Sequence, residues 1–308
     1  MFSFKKGGIK PVAVVEGGDM DGEVLYLYRK DKSVKEMPRG FFDMVELPED
    51  SVFQWFPDVR ENFSDVISMT APRGQGKSTL ASNIAQHIKE VFKLRDDDVI
   101  VCKKSQIADP AFDDLNPSYC YIDEEFLENP LTCDEISPDK DVKVVILDDL
   151  DTINSAKLKK AYVQFQDNLL QEGRKYNIYV IICAHRLTAH KDTKAILTES
   201  TYMLWFPDGV TSDFKYALKT YCDISTDVIK DLKNINSRWV MFHQHSPRFI
   251  LTEHKAFIFD LDREEERLKD IKEEKKERRL LKRVPYSEQA SRRVKSHHID
   301  DSYYEDEE

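Results

Sequence analysis

The 308-residue sequence lacks long apolar runs and paired cysteines. Its longest apolar run, residues 178–184, has seven residues, whereas a membrane-spanning helix needs about 18. The first ten residues hold three lysines but no apolar stretch, so we expect no secretory signal. The five cysteines include no C-x-x-C pair, which indicates reduced, mostly buried thiols rather than a disulfide framework. These absences argue against the membrane and secreted classes of protein.

The negative charge of the chain is concentrated in one segment. The net charge is −11, but residues 96–151 alone contain 17 acidic and 4 basic side chains, a net −13. The remainder of the chain therefore sums to +2. The overall sign does not exclude a nucleic-acid-binding face elsewhere on the molecule.

Glycine is rare in the second part of the chain, since only two glycines follow residue 77. Before that point, Gly-Gly and Asp-Gly turn signals separate short apolar runs, and we expect a small β-rich N-terminal module over residues 1–60. Residues 61–261 would form the main domain, within which residues 105–141 are an acidic, proline-containing insertion or lid. Residues 262–308 would follow as a charged helix and a disordered acidic tail. Strand candidates in the N-terminal module are 11–15, 24–28 and 41–47.

From residue 65 onward, short apolar runs alternate with stretches of helical spacing. This alternation predicts an α/β fold with a mostly parallel central sheet covered by helices on both faces. The predicted strands span 66–69, 99–102, 144–147, 179–183 and 202–206, and the helices between them include 78–93 and 157–172. Helices at 213–222 and 226–232 and antiparallel strands at 238–243, 248–252 and 256–259 are predicted to close the domain.

An eight-residue motif that begins at Ala71, Ala-Pro-Arg-Gly-Gln-Gly-Lys-Ser, has the spacing of a phosphate-binding loop. Gly74 and Gly76 allow the backbone N–H groups to point at the β- and γ-phosphates, which Lys77 would also reach. The Ser78 hydroxyl would complete a Mg²⁺ shell, and the following helix would offer its positive N-terminal end to the anion. The predicted nucleotide-binding residues are Ala71, Pro72, Arg73, Gly74, Gln75, Gly76, Lys77, Ser78 and Thr79.

Two acids end the apolar run Lys-Val-Val-Ile-Leu-Asp-Asp. Asp148 would hold Mg²⁺, directly or through water, and Asp149 would polarise the attacking water. Two carboxylates at the end of a strand also suit a helix N-cap or a solvated turn. Their combination with a phosphate-binding loop favours the nucleotide site.

The order of the predicted strands supports this interpretation. A strand at 99–102 lies between the loop and the acids, and the strand at 179–183 ends in Ala-His-Arg, where His185 would sense the γ-phosphate or the water. The alternative is a histidine that bonds only to local backbone. The phosphate-binding loop corresponds to a Walker A motif and the strand that ends in the acids to a Walker B motif. An added strand between the two, with a polar sensor at the end of the next strand, is typical of one group of ATPases.

Basic residues offer three further candidates. Arg174 precedes the sensor strand and would stabilise charge on a neighbouring subunit's γ-phosphate, although a surface arginine fits the sequence equally well. Lys157, Lys159 and Lys160 follow the acids and would touch a nucleic-acid backbone, or else form a solvated helix face. Residues 278–295 hold seven basic side chains and one acid, which suits a nuclear signal, a DNA-contacting arm or a solvated tail.

Taken together, the loop motif, Ile-Leu-Asp-Asp-Leu and Gly-Arg-Lys-Tyr-Asn-Ile-Tyr-Val-Ile-Ile-Cys-Ala-His-Arg resemble the genome-packaging ATPases of nucleocytoplasmic large DNA viruses, of the poxvirus type. These belong to the FtsK–HerA group of P-loop NTPases, and the likeness covers residues 65–206. It implies a hexameric ring that hydrolyses ATP with Mg²⁺ at subunit interfaces and drives double-stranded DNA into a preformed capsid. It also implies a capsid or virion-membrane protein as partner, and a location at the virus assembly site in the host cytoplasm or in the virion.

By position in these motifs, the resemblance assigns roles to individual residues. Lys77 would contact the phosphates and Asp148 would bind the metal together with Ser78. Asp149 takes the place of the catalytic acid, where many relatives have glutamate. Arg174 would be the arginine supplied in trans. His185 stands where the bacterial and archaeal relatives usually have glutamine.

Other functions of a phosphate-binding loop remain open from the residues alone. The chain would also suit a helicase-like ATPase, an ATPase that moves protein, or an assembly scaffold that binds ATP and hydrolyses little of it. A guanine-reading Asn/Thr-Lys-x-Asp segment is absent from the sequence, which argues against GTP. The acid pair and the sensor strand favour activation of water over a bound acceptor hydroxyl, and so favour an ATPase over a kinase.

Overall fold

Two β-sheets and the helices packed on them account for most of the described residues. The computed structural model describes residues 1–29, 39–60, 62–107, 109–185, 194–207, 212–222 and 224–258. The predicted charged helix, the acidic tail and the basic cluster at 278–295 lie outside these ranges. The helices are α1 (Lys77–Phe92), α2 (Glu124–Glu128), α3 (Cys133–Ile136), α4 (Ala156–Glu172), α5 (Lys194–Glu199), α6 (Ser212–Tyr221) and α7 (Thr226–Lys233).

The smaller sheet belongs to the N-terminal part of the chain and is antiparallel. Its order is β1-β3-β2-β5, in which the strands are β1 (Phe2–Ser3), β2 (Lys10–Glu16), β3 (Val24–Leu27) and β5 (Val52–Trp55). The predicted β-rich character of this segment is confirmed. The predicted strand at 41–47 does not belong to this sheet. It corresponds to β4 (Met44–Glu46), which pairs with the last strand of the larger sheet along the chain.

The larger sheet has ten strands in the order β4-β14-β13-β12-β11-β6-β10-β9-β7-β8. The six from β11 to β8 are mutually parallel, and β12, β13, β14 and β4 extend the sheet in antiparallel fashion. The strands are β6 (Val66–Thr70), β7 (Val99–Lys103), β8 (Ser118–Tyr121), β9 (Lys143–Asp148), β10 (Ile178–Ala184), β11 (Tyr202–Trp205), β12 (Val240–His243), β13 (Phe249–Thr252) and β14 (Lys255–Ile258). The predicted α/β fold with a mostly parallel sheet is confirmed.

Five of the parallel strands, β6, β7, β9, β10 and β11, are buried on both faces, which explains their apolar runs, whereas β8 is the exposed edge strand. Ile67, Ile146 and Ile181 stand side by side on β6, β9 and β10 and belong to the same core as the buried face of α1. The alternate residues of β9 and β10 are also buried, and α4 packs against β10. An apolar layer therefore lies on each side of the sheet.

Strand order places β10 between β6 and β9. The predicted strand at 99–102 separates the two motifs along the chain, but in the sheet its place is beyond β9. The strand that separates the Walker A strand β6 from the Walker B strand β9 in the sheet is therefore the sensor strand β10, and the predicted strand at 99–102 separates the two motifs only along the chain. Because the strands are parallel, β6, β9 and β10 all end at one edge.

The segment 105–141 extends the sheet. It supplies β8, which pairs in parallel with β7 so that Val101 faces Tyr119, and it supplies α2 and α3, which contact α4. Among the residues that the structure describes, none of the helices is both long enough and apolar enough to cross a membrane.

Candidate active site

The loop between β6 and α1 has a backbone that favours glycine at two positions. Gly74 has φ +82° and Gly76 has φ +87°, in the left-handed region where a side chain is strained. A Cβ on Gly74 would meet no atom within 4 Å, so conformation rather than space favours glycine there. Helix α1 begins directly after Gly76, and its free N–H groups and dipole are of the kind that bind anions.

Lys77 is buried and its ammonium group lies at the centre of the site. Its Nζ donates to the carbonyl oxygen of Ala71 at 3.0 Å and lies 3.4 Å from Nδ1 of His185. Oδ1 of Asp149 lies 3.8 Å from the same Nζ. Ala71 follows β6, His185 follows β10 and Asp149 follows β9. Lys77 therefore contacts residues at the ends of three neighbouring strands.

Ser78 and Asp148 lie side by side at the end of β9. The Ser78 hydroxyl donates to Oδ1 of Asp148 at 3.2 Å. Burial and, to a smaller extent, the neighbouring Asp149 raise the pKa of Asp148 to about 6, against the opposing effect of the hydrogen bond from Ser78. A hydroxyl and a carboxylate beside a second carboxylate are the hard oxygen ligands that Mg²⁺ prefers, so these residues fit a magnesium ion.

Asp149 has an unusual backbone conformation that aims its side chain. Its φ is +52°, in the left-handed region, and its N–H donates to the carbonyl of Cys183 on β10 at 3.0 Å. Such a conformation costs a residue with a side chain about 1–2 kcal/mol, and aspartate tolerates it better than most. Oδ1 of Asp149 is buried and accepts no hydrogen bond from the described residues. This oxygen faces Nζ of Lys77, 3.8 Å away, without a hydrogen bond to it.

His185 directly follows β10 and contacts both Lys77 and Asp149. Its Nε2 is 3.2 Å from Oδ2 of Asp149. Because an ammonium group only donates, the contact with Lys77 makes Nδ1 the acceptor and assigns the ring proton of the neutral imidazole to Nε2. The backbone N–H of His185 donates to Oδ2 of Asp151 at 3.0 Å.

Asp151 was not among the predicted site residues. It follows the acid pair by two positions, and the third acid in Asp-Asp-Leu-Asp was the available sequence signal. Its carboxylate holds the end of the sensor strand and so fixes the position of the His185 ring.

Arg174 is not brought to the site of its own chain. It is exposed in the turn Gly173–Tyr176, at the start of β10, whereas His185 follows the other end of that strand. Seven residues at about 3.3 Å each separate the two ends, or roughly 20 Å. Lys157 and Lys160 are exposed at the beginning of α4, on the segment that follows the acids.

Arg238 borders the loop, and sequence reasoning gave it no role. Its Nη2 lies 3.7 Å from the position that a Cβ on Gly76 would occupy. The residue is exposed, immediately before the buried Trp239 and the strand β12. About 160 residues separate Arg238 from the loop, so no local pattern relates them.

No protein-family model matches the chain. Protein V3 of Sputnik virophage, which is uncharacterized, is 28% identical over 249 residues, or 80% of this chain and 94% of that protein. Among solved structures, the genome-packaging NTPase B204 of Sulfolobus turreted icosahedral virus 2 with ATP-γ-S has 13% identity and a TM-score of 0.42, over 61% of this chain and 97% of that one. The conjugation coupling protein TcpA of pCW3 has 14% identity and a TM-score of 0.42, over 82% and 79% of the two chains.

The fold itself carries the classification. A parallel sheet with the phosphate-binding loop on its central strand β6, a sensor strand beside it and the acids on the strand beyond is the architecture of a P-loop NTPase. By its own strand order and loop position, the chain has a P-loop NTPase fold.

Proposed function

We propose that this protein is an ATP-hydrolysing motor that translocates double-stranded viral DNA into a preformed capsid. The observation that carries the proposal is the convergence of Lys77, Asp148, Asp149 and His185 beside the loop at one edge of the sheet. The ATP phosphates would lie against the loop N–H groups and the start of α1, and the ammonium of Lys77 would neutralise the β- and γ-phosphates.

Ser78 and Asp148 would hold Mg²⁺. The ion would supply neutralisation of charge on the phosphate oxygens. The raised pKa of Asp148 reflects a buried carboxyl group beside a second carboxylate. A bound cation would stabilise the charged form of Asp148.

Asp149 would position the attacking water. Its Oδ1 has an unused lone pair, and its Oδ2 is held by the Nε2 proton of His185. A water that donates one proton to Oδ1 would have an oxygen lone pair directed at the γ-phosphorus. The Nε2 of His185 is close enough to the same point to hydrogen-bond to the γ-phosphate.

A ring of subunits would complete the site. The exposed Arg174 lies far from the acids of its own chain. It would instead reach the γ-phosphate that is bound by a neighbouring subunit, where it would stabilise developing charge. The exposed Lys157 and Lys160 would face the DNA backbone within such a ring. We propose a hexamer, a capsid or virion-membrane partner, and assembly in the host cytoplasm, all on the strength of the sequence resemblance.

Two other functions make different predictions. A helicase-like or protein-moving P-loop ATPase would use the same site, but a protein-moving one would hydrolyse ATP at a rate indifferent to DNA. An assembly scaffold would bind ATP tightly and release almost no phosphate. The aspartate at position 149, one methylene shorter than glutamate, is the feature that favours the scaffold.

The test is steady-state phosphate release from ATP with and without long double-stranded DNA. We expect stimulation of severalfold by DNA in the wild type and none in Lys77→Ala. Hydrolysis that DNA leaves unchanged would contradict the DNA motor and retain the ATPase. A wild-type rate in Lys77→Ala would contradict the site itself.

A further inference from the structure

We propose that a cleft beside the phosphate-binding loop binds the nucleoside half of the nucleotide, and that the N-terminal sheet forms one of its walls. The inference rests on the proposed nucleotide site and adds where the base lies. The cleft has a volume of about 180 Å³ and lies between α1, β5 and the strands β11 and β12. Its lining includes Trp55, Gly76, Thr79, Asn83, Arg238 and Trp239.

The position of the cleft relative to the acids sets the direction of the nucleotide. In the sheet, β10 and β9 lie on one side of β6, and they carry the groups around the γ-phosphate position. The strands β11 and β12 lie on the other side of β6, next to the cleft. A triphosphate that crosses the loop with its γ end at Asp149 therefore leaves its ribose and base on the cleft side.

One face of α1 connects the loop to the cleft. Thr79, Asn83 and His87 follow at intervals of four residues, so they form a row along the helix, and all three line the cleft. The apolar side chains of Leu80 and Ile84 lie beside this row. A nucleotide whose α-phosphate lies near the first turn of α1 would thus enter the cleft with its ribose.

The chemistry of the walls suits a flat ring with polar edges. Trp55 and Trp239 both line the cleft, and a base would pack against the aromatic area that they present there. Arg238 stands at the boundary with Gly76, where its cation would meet the α-phosphate or the ribose. Glu253 accepts a hydrogen bond from the Arg238 backbone N–H at 2.6 Å and so fixes the turn that carries the guanidinium group.

The N-terminal wall is firmly attached to the rest of the cleft. The backbone N–H of Phe53 on β5 donates to the carbonyl of Glu253 at 2.6 Å, directly after β13. Trp55 packs edge-to-face on Tyr202 of β11, with ring centroids 5.7 Å apart. A role in binding the base would explain why a small β-sheet is held against the nucleotide domain at this position.

The test compares ATP with inorganic tripolyphosphate, which has the phosphates but no nucleoside. Asn83→Trp places bulk at the exposed mouth of the cleft, and Glu90→Trp places the same bulk on an exposed part of α1 outside it. We expect Asn83→Trp to weaken ATP binding by about tenfold or more in calorimetric titrations with Mg²⁺, and to leave tripolyphosphate binding unchanged. Glu90→Trp should change neither affinity, and wild-type tryptophan fluorescence should respond to ATP but not to tripolyphosphate.

The results distinguish a failure of the proposed nucleoside cleft from a failure of the proposed phosphate-binding site. Lys77→Ala should weaken binding of both ligands. If it does so while Asn83→Trp binds ATP as tightly as the wild type, the cleft is not the nucleoside site and the proposed function stands. If Lys77→Ala binds both ligands normally, the proposed function fails and the inference fails with it. Matching thermal unfolding of the two tryptophan variants shows that each comparison is between folded proteins.

Discussion

His185 Nε2 lies 3.2 Å from Asp149 Oδ2, although the two residues come from different strands and are separated by more than 30 positions. The contact exists because β9 and β10 are parallel neighbours, with Asp148 opposite Cys183, and both end at the same edge. The left-handed backbone of Asp149 turns its carboxylate back toward β10. The pair, together with Lys77, defines where the γ-phosphate and its attacking water would meet.

Replacement of Lys77 by alanine should abolish turnover without unfolding the chain. The side chain holds three groups of the site together and would neutralise the phosphates, so we expect phosphate release to fall by about 100-fold or more. Phosphate release and circular dichroism should be measured side by side. Lys6→Ala, an exposed lysine in the N-terminal part, is the matched control and should retain the wild-type rate.

The two neighbouring acids should fail in different ways. Asp149→Asn removes the negative charge that would polarise the water and should lower kcat by about 100-fold or more with ATP affinity nearly unchanged. Asp148→Asn removes the proposed metal ligand and should weaken binding of ATP in the presence of Mg²⁺. Turnover and nucleotide affinity should be measured for each variant. Equal loss of affinity in both would contradict the division of roles.

Position 185 should tolerate glutamine better than alanine. The Nε2 proton of His185 faces Asp149, and a glutamine amide can donate from nearly the same place. We expect His185→Gln to keep most of the hydrolysis rate and His185→Ala to lose it by about tenfold or more. If the two variants lost activity equally in phosphate-release assays, a hydrogen bond from this position would not contribute to turnover.

Arg174 should act on the site of a neighbouring subunit. Arg174→Ala and Lys77→Ala should each be inactive alone, because one lacks the arginine and the other lacks the lysine of every site. Mixed rings contain interfaces in which a wild-type Arg174 meets a wild-type Lys77, so a mixture of the two variants should regain phosphate release. An inactive mixture of variants that still assemble would place Arg174 outside the catalytic interface.

The acid stability of the fold should depend on Asp98. Burial raises its pKa, but hydrogen bonds from Lys143 at 2.5 Å and from the Arg95 backbone at 2.7 Å outweigh burial and lower it to about 2. A lowered folded-state pKa stabilises the protein above the unfolded pKa of about 3.9, and this stabilisation is lost as the pH falls toward 2.

Asp98→Asn should therefore reduce the free energy of unfolding at pH 7 by about 2 kcal/mol, and the difference from wild type should shrink below pH 4. Denaturant titrations at several pH values measure it. The exposed neighbour Asp97 is the control, since Asp97→Asn should change stability by less than about 0.5 kcal/mol. A difference that stays constant with pH would mean that the ionised carboxylate is not what stabilises the strands.

Local patterns in the sequence were sufficient for the parallel core. The strands β6, β7, β9, β10 and β11 lie within one or two residues of their predicted positions, because a strand buried on both faces must be apolar throughout. The loop was equally legible, since two glycines, a lysine and a serine at fixed spacing are required by its backbone and chemistry. The predicted domain boundaries and the roles of the site residues stay predictions.

What the sequence by itself determined is the set of elements and the chemical groups at their ends. The tertiary structure decided which of these groups meet. It placed β10 between β6 and β9, so that His185 reaches Asp149, and it left Arg174 at the opposite edge. It also brought Arg238 to Gly76 and sent β4 into the larger sheet. Strand order and such distant contacts depend on how whole layers pack, and hydrophobic periodicity along a single segment carries no information about them.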